Sequence, residues 1–204
     1  MSICDDAKML VNDKMVQERT KDIISDIIKA LLGDPLAVAK IIIEFEHSPL
    51  FIRDRIFWIK LQKYINGVYT CQEDYKKLKT KLAEYADSDE GAQRLIECID
   101  RADTSNKIQF LINATNHLLD NEIDCADFFR ICRAIAQTLE EDLQFLKNHI
   151  SEETINGSIN VLGLVTTGLM HMVFNNPDGG SLYSFTELAK KVNRYAIKPI
   201  NKVS

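Results

Sequence analysis

In the N-terminal part of the chain, Val16, Ile23, Ile24, Ile27, Ile28, Leu31 and Leu32 return at helical intervals, with Glu18, Arg19, Asp22, Ser25, Asp26 and Lys29 opposite them. Only an α-helix gathers such a series on one face. The segment Gly33-Asp34-Pro35 should end it, because proline supplies no backbone N–H and disfavours helix at the residue before it. LAVAKIIIEFE then predicts a second helix, and Ser48 with Pro49 suits the N-cap and first position of a third. That third segment, LFIRDRIFWIKLQKYI, carries Leu50, Asp54, Phe57, Leu61 and Tyr64 on one line and Ile52, Ile56 and Ile59 on another, the pattern of a central buried helix.

The same period continues. Tyr75, Leu78, Leu82 and Tyr85 mark one helix; Leu95, Ile96 and Ile99 mark a short one after the acidic loop ADSDEG. Ile108, Leu111, Ile112, Thr115, Leu118 and Leu119 mark the next. Phe129, Cys132, Ile135, Ala136, Leu139, Leu143 and Leu146 predict a single long helix of about five turns. Eight glycines and four prolines in 204 residues are too few for a turn-rich β architecture.

Past Ser151 the texture changes. INGSINVLGLVTTGLM is apolar and uncharged, and predicts a helix within Asn156 to Met170. HMVF and SLYSF read as two short strands joined by NNPDGG. Ser184 and Glu187 have capping-box spacing, and Leu188, Val192 and Tyr195 give the last helix an inner face. The fold class expected is mainly α: a multi-helix bundle, residues 1–150, with a C-terminal helix, β-hairpin and helix module, residues 151–204, packed on it.

Several function classes find no support. Five scattered cysteines without a C-x-x-C pair, and four histidines far apart, offer no zinc spacing and fit a reducing cytoplasm. HLLDNEIDCADFF imitates a calcium loop, but it puts Leu118 at a ligand position and the shorter Asp127 where a bidentate Glu belongs. Asp124 is better read as the N-cap of a helix starting at Cys125. The apolar window Ile23 to Ile43 is interrupted by Asp26, Lys29, Asp34 and Lys40, so no membrane span is expected. No catalytic motif of the hydrolase, zinc-peptidase or phosphate-loop kind occurs, and Glu44, Glu46 and His47 read as a solvated helix end. No cofactor or metal is expected, and no enzyme activity.

The segment VLGLVTTGLMHMVFNNPDGGSLYSFTELAKKV resembles the second half of a winged-helix domain, through Gly168, Leu169, the turn Asn175 to Gly180, Tyr183, Phe185 and Thr186. Where that pattern often has glycine after the threonine, this chain has Ala189. The helical part resembles bacterial and phage-borne helical proteins of unknown function. The winged-helix resemblance implies nucleic-acid binding, and electrostatics weigh against it. Residues 154–204 hold five basic and two acidic side chains, a net of +3, against −8 for residues 1–153 with 20 basic and 28 acidic. All five cations follow the hairpin, and the helix within Asn156 to Met170, which would enter the groove, has no Lys or Arg.

Contacts with phosphate or an acidic partner would fall to Lys190, Lys191, Arg194 and Lys198 in the tail, and to Arg53, Lys60 and Lys63 in RDRIFWIKLQK. The favoured expectation is a non-catalytic protein-interaction or regulatory protein of a bacterial or phage system, with a protein partner or self-association. A winged-helix DNA-binding regulator contacting phosphates through its last helix is the alternative, and an enzyme with an unrecognised site is the third.

Overall fold

The computed structural model describes residues 23–47, 52–69, 72–85, 87–175 and 180–198, with side chains at all of these except 23, 24, 42, 44–47, 52–55, 72 and 85. Among them the chain is mainly helical, with one small antiparallel sheet near the C-terminus. It divides into two compact units, residues 1–100 and 101–204. The boundary anticipated at residue 150 therefore lies inside the second unit.

The first unit opens with α1 (Ile23–Leu31) and α2 (Pro35–His47). They are separated where the Gly-Asp-Pro break requires, and Asp34 accepts a hydrogen bond from the Leu36 amide at 2.9 Å, satisfying an orphan donor of α2. Two of the charges that interrupt the apolar window pair with one another: Lys40 Nζ lies 3.3 Å from the nearly buried carboxylate of Asp26. Ala30, Ala37, Val38, Ala39, Ile41 and Ile43 form the core between these helices, and Ile27 and Trp58 pack against it.

Trp58 belongs to α3 (Ile52–Val68), whose Leu61, Tyr64, Ile65 and Val68 are buried. Its second apolar line is not: Ile56 and Ile59 face solvent, so α3 is an amphipathic helix and not the two-sided central one its sequence predicts. The unit closes with α4 (Gln72–Tyr85) and α5 (Ser88–Arg101), which bury Leu78, Leu82, Ala92, Leu95 and Ile99. The expected acidic loop is partly helix, since Asp89 and Glu90 sit in the first turn of α5, where the helix dipole favours them. The anticipated cap at Ser48 and Pro49 lies outside the described residues.

In the second unit α6 (Ser105–Leu119) is capped by Thr104 and α7 (Cys125–Gln137) by Asp124, whose carboxylate accepts from the Asp127 amide at 2.7 Å. That is the capping role read for Asp124 in the sequence. The long helix expected over residues 129–146 is two helices, α7 and α8 (Glu140–His149). Thr138 and Leu139 are extended, and the Thr138 hydroxyl and amide both donate to the Ala134 carbonyl. Glu140, Glu141 and Asp142 then fill the first turn of α8, the place where the dipole favours acids. The break turns Leu139 outward, away from the apolar line that included it.

Then follow β1 (Ile155–Asn156), α9 (Ile159–Thr166), β2 (Met170–Asn175), β3 (Ser181–Phe185) and α10 (Glu187–Val192), continued by a π-helical turn, Asn193–Ile197. The sheet is antiparallel in the order β1-β3-β2. Both predicted strands are present, and β1 is a third that the sequence does not announce. α8 packs on α9, α7 on α10, and α6 on the π turn, so helices and hairpin share one core. The π turn carries Ala196 and Ile197 inward, leaving Tyr195 only half-buried on the face where it was expected to be core.

Candidate interaction surface

Each end of α9 is fixed by local chemistry. Ser158 caps its start by accepting from the Val161 amide at 3.3 Å. At its end Gly168 takes a left-handed backbone (φ +75°), and the amides of Gly168 and Leu169 donate to the carbonyls of Val165 and Leu164. This pair of bonds, with Leu169 and Leu164 both buried, is the Schellman arrangement that stops a helix. The Gly-Leu step thus has a physical basis in how α9 turns into β2. The helix lies within the anticipated Asn156 to Met170 and starts only at Ile159, since Ile155 and Asn156 pair with Tyr183 and Leu182 as strand.

The inner side of α9 rests on Val161 and Leu164, which are fully buried, and on Asp142 of α8. Asn160 Nδ2 donates to Asp142 Oδ1 at 2.9 Å. The amide group of Asn160, a type of side chain that can read bases, is thus engaged inside the unit. What α9 presents to solvent is apolar: Ile159 is 85% exposed and Leu162 56%.

The hairpin continues this character. Met172, Val173 and Phe174 are each about half exposed, between 47% and 55%. Pairing register accounts for Phe174. Met170 lies opposite Phe185 and Met172 opposite Tyr183, on the side facing the core. The register then shifts between Met172 and Phe174, so Phe174 lies opposite Leu182 in place of Ser181. Val173 is the extra residue of a β-bulge, and the bulge moves Phe174 to the outer side of the sheet beside Leu182. Without that insertion alternation would return Phe174 to the inner side.

Gly157 extends the ladder by donating to the Ser181 carbonyl, and Asn175 lies opposite Ser181 from the other strand. The start of α9 therefore sits at the turn end of the sheet, on the opposite side of β3 from β2. From Thr154 to Asn175 the chain has no Asp, Glu, Lys or Arg, within a sequence that is 27% charged. Five large apolar side chains of this stretch, Ile159, Leu162, Met172, Val173 and Phe174, are exposed.

The tail cations are largely occupied. Lys190 pairs with Glu187 at 2.6 Å, and this bond holds the Glu187 carboxyl below its ordinary pKa. Lys191 pairs with Asp127 of α7, whose hydrogen bond raises the lysine pKa. The Arg194 guanidinium lies 5.1 Å from the ring centroid of Tyr195, which meets His117 edge-on. Lys198 is exposed beyond the π turn.

In the first unit, Lys60 Nζ donates to the Asp100 carbonyl at 2.7 Å, and Lys63 is half-buried on the same helix. The Arg53 side chain lies outside the described residues, as do those of Glu44, Glu46 and His47 and the turn residues 176–179. Among the described residues no three His, Cys, Asp or Glu side chains lie close enough to hold a metal ion, and no helix is long and apolar enough to cross a membrane.

The capping box proposed at Ser184 falls elsewhere. Thr186 is the N-cap of α10, accepting from the Ala189 amide at 3.2 Å while its hydroxyl donates to the Gly168 carbonyl at 2.9 Å. Residue spacing alone did not separate Ser184 from Thr186; Phe185, buried on β3, does, because it keeps Ser184 within the strand. The bulge and the outward Phe174 were likewise missed, although the absence of alternation in MHMVFN is a signal for them. No family model matches this chain, and neither does any curated protein sequence or solved structure.

Proposed function

We propose that this protein acts without catalysis, through contact with another macromolecule, and that the contact surface is the outer side of α9 together with the β2 hairpin. The single observation that supports this most is that Ile159, Leu162, Met172, Val173 and Phe174 are all exposed within a stretch, Thr154 to Asn175, that has no Asp, Glu, Lys or Arg. A regulatory protein of a bacterial or phage system is the setting that the resemblance of the helical part implies. The pairing of Lys190 and Lys191 with carboxylates of the chain weighs for a protein partner over a polyanion at those two positions.

The test is comparative capture. Tagged full-length protein and its Phe174→Asp and Leu162→Asp variants are cross-linked under native conditions, and recovered species, including the chain itself, are compared. Species captured by the wild type and absent from both variants support the proposal; recovery that ignores both substitutions refutes it.

A further inference from the structure

We infer that Asn156-Gly157, at the entry to α9, is a site of spontaneous deamidation, closed by the pairing of β1 with β3 and opened when β1 frays. The inference stands on the chemistry of this dipeptide and its setting in the sheet, and is independent of the interaction role proposed above.

An asparagine amide is chemically labile wherever the next backbone nitrogen can reach it, and glycine, without a Cβ, lets that nitrogen approach. The pair occurs twice in the sequence, at Asn66-Gly67 and at Asn156-Gly157, each time preceded by isoleucine. Their settings differ. Asn66 lies in the last turn of α3, and Val68 and Tyr69 just beyond it are buried, so freeing its backbone means lifting core side chains. Asn156 lies in β1, a strand of two residues at the edge of the sheet, and from Ser151 to Asn160 every side chain is exposed or half-buried.

Backbone pairing holds the dipeptide in place. Ile155 and Asn156 lie opposite Tyr183 and Leu182, and the Gly157 amide donates to the Ser181 carbonyl at 3.2 Å. While these bonds stand, the Gly157 nitrogen is occupied and the extended backbone keeps it away from the Asn156 side chain. Segments with little buried apolar surface and exposed backbone hydrogen bonds open at a free energy far below that of global unfolding. β1 is such a segment, so the native protein visits an open form from which the reaction proceeds.

In that form the Gly157 nitrogen, its proton lost to base, attacks Cγ of Asn156. The new C–N bond closes a five-membered imide, the Cγ–Nδ2 bond breaks, and the nitrogen leaves as ammonia with a proton from solvent. Water then opens the ring at either carbonyl, so that amide and water have become carboxylate and ammonium with no change of oxidation state. Opening at one carbonyl leaves aspartate; opening at the other leaves isoaspartate, whose main chain is longer by one methylene. Either product puts a negative charge into the stretch from Thr154 to Asn175, which has none. The isoaspartate also displaces Gly157 from Ser181 and so loosens the entry to α9.

The experiment holds the full-length protein at mildly alkaline pH, samples it over time, and maps its peptides by tandem mass spectrometry with electron-transfer fragmentation, which separates aspartate from isoaspartate. Asn156 should convert with first-order kinetics that quicken as pH rises, and at least about threefold faster than Asn66. In denaturant the two sites should convert at similar rates, both faster than in the folded chain, which makes Asn66 an internal reference. Gly157→Ala should slow conversion at position 156 at least about tenfold, since the added Cβ hinders the nitrogen. That Cβ would meet only Tyr183 Cε2, at 3.4 Å, so the variant keeps the fold, and circular dichroism verifies it. A folded protein in which Asn156 converts no faster than Asn66, or a rate at Asn156 indifferent to Gly157→Ala, would overturn the inference. Equal rates at Asn156 in folded and unfolded chains would overturn the gating by β1. The wild-type comparison in and out of denaturant needs no variant, so it decides the matter even where a substitution disturbs folding.

Discussion

Asp142 and Gly163 occupy space that a larger residue at position 163 would need: a Cβ built on Gly163 would sit 2.9 Å from Asp142 Cγ and closer still to its Oδ2. The carboxylate of α8 thus lies against the backbone of α9, with its other oxygen held by Asn160. Asp142 also stands in the first turn of α8, so the dipole of that helix favours its charge despite burial. The contact sets the rotation of α9 and thereby which residues it turns to solvent.

Gly163→Ala should therefore destabilise the protein by about 1–3 kcal/mol, the usual range for overpacking a closed site. Asp142→Ala combined with Gly163→Ala should recover part of that loss, because the small side chain removes the clash. Thermal unfolding of the single and double variants checks both; a Gly163→Ala protein as stable as wild type would contradict the close approach.

Thr186 joins two functions in one hydroxyl, capping α10 and donating to the Gly168 carbonyl at the turn out of α9. Thr186→Ala should cost about 0.5–2 kcal/mol, the range for losing an N-cap. Ser184→Ala should lie within about 0.5 kcal/mol of wild type, as for a substitution without a capping role. Denaturant unfolding distinguishes the two, and equal effects would restore the capping box to Ser184.

These residues also measure what the sequence conveys. Helical periodicity located the helices because one buried stripe is enough to define each, as Leu61, Tyr64, Ile65 and Val68 do in α3. It failed where a local polar contact competes with the period. Thr138 satisfies the Ala134 carbonyl and lets three acids begin a new helix, splitting what reads as one. Of the candidate surface, the absence of charge was legible. Its shape was not, since a one-residue bulge at Val173 decides the side on which Phe174 lies and has no composition of its own.

In the first unit, the Tyr69 hydroxyl donates to the Leu31 carbonyl at the end of α1 and its ring lies 4.2 Å, centroid to centroid, from that of Tyr75. Burial, with smaller contributions from Tyr75 and Asp74, raises its pKa well above the ordinary 10.0. The folded state holds this proton after an unfolded chain has lost it, so the contribution is fully present below pH 10.0 and falls away as pH rises toward the folded pKa. Stability should thus decline above that pH, and Tyr69→Phe should lessen the decline. The same substitution should cost about 1–3 kcal/mol at neutral pH, because the Leu31 carbonyl loses its buried donor. Tyrosinate absorbance alongside unfolding across alkaline pH would test this; a Tyr69 that titrates with the exposed tyrosines would contradict it.

The tail cations yield the last prediction. Duplex binding requires several phosphates to be neutralised at once, and affinity that depends on them falls steeply with salt. Lys190 and Lys191 are engaged with Glu187 and Asp127, and α9 presents Ile159 and Leu162 where a groove-reading helix would present hydrogen-bonding side chains. A titration of the full chain with duplex DNA at low salt should show no saturable binding. Asp127→Asn releases Lys191, and Glu187→Gln releases Lys190; any weak association that then appears should vanish as salt is raised, identifying it as counterion release. Saturable binding by the wild-type chain, lost on substituting Lys190, Lys191 and Arg194, would instead make the last helix a phosphate-contacting element and overturn the preference for a protein partner.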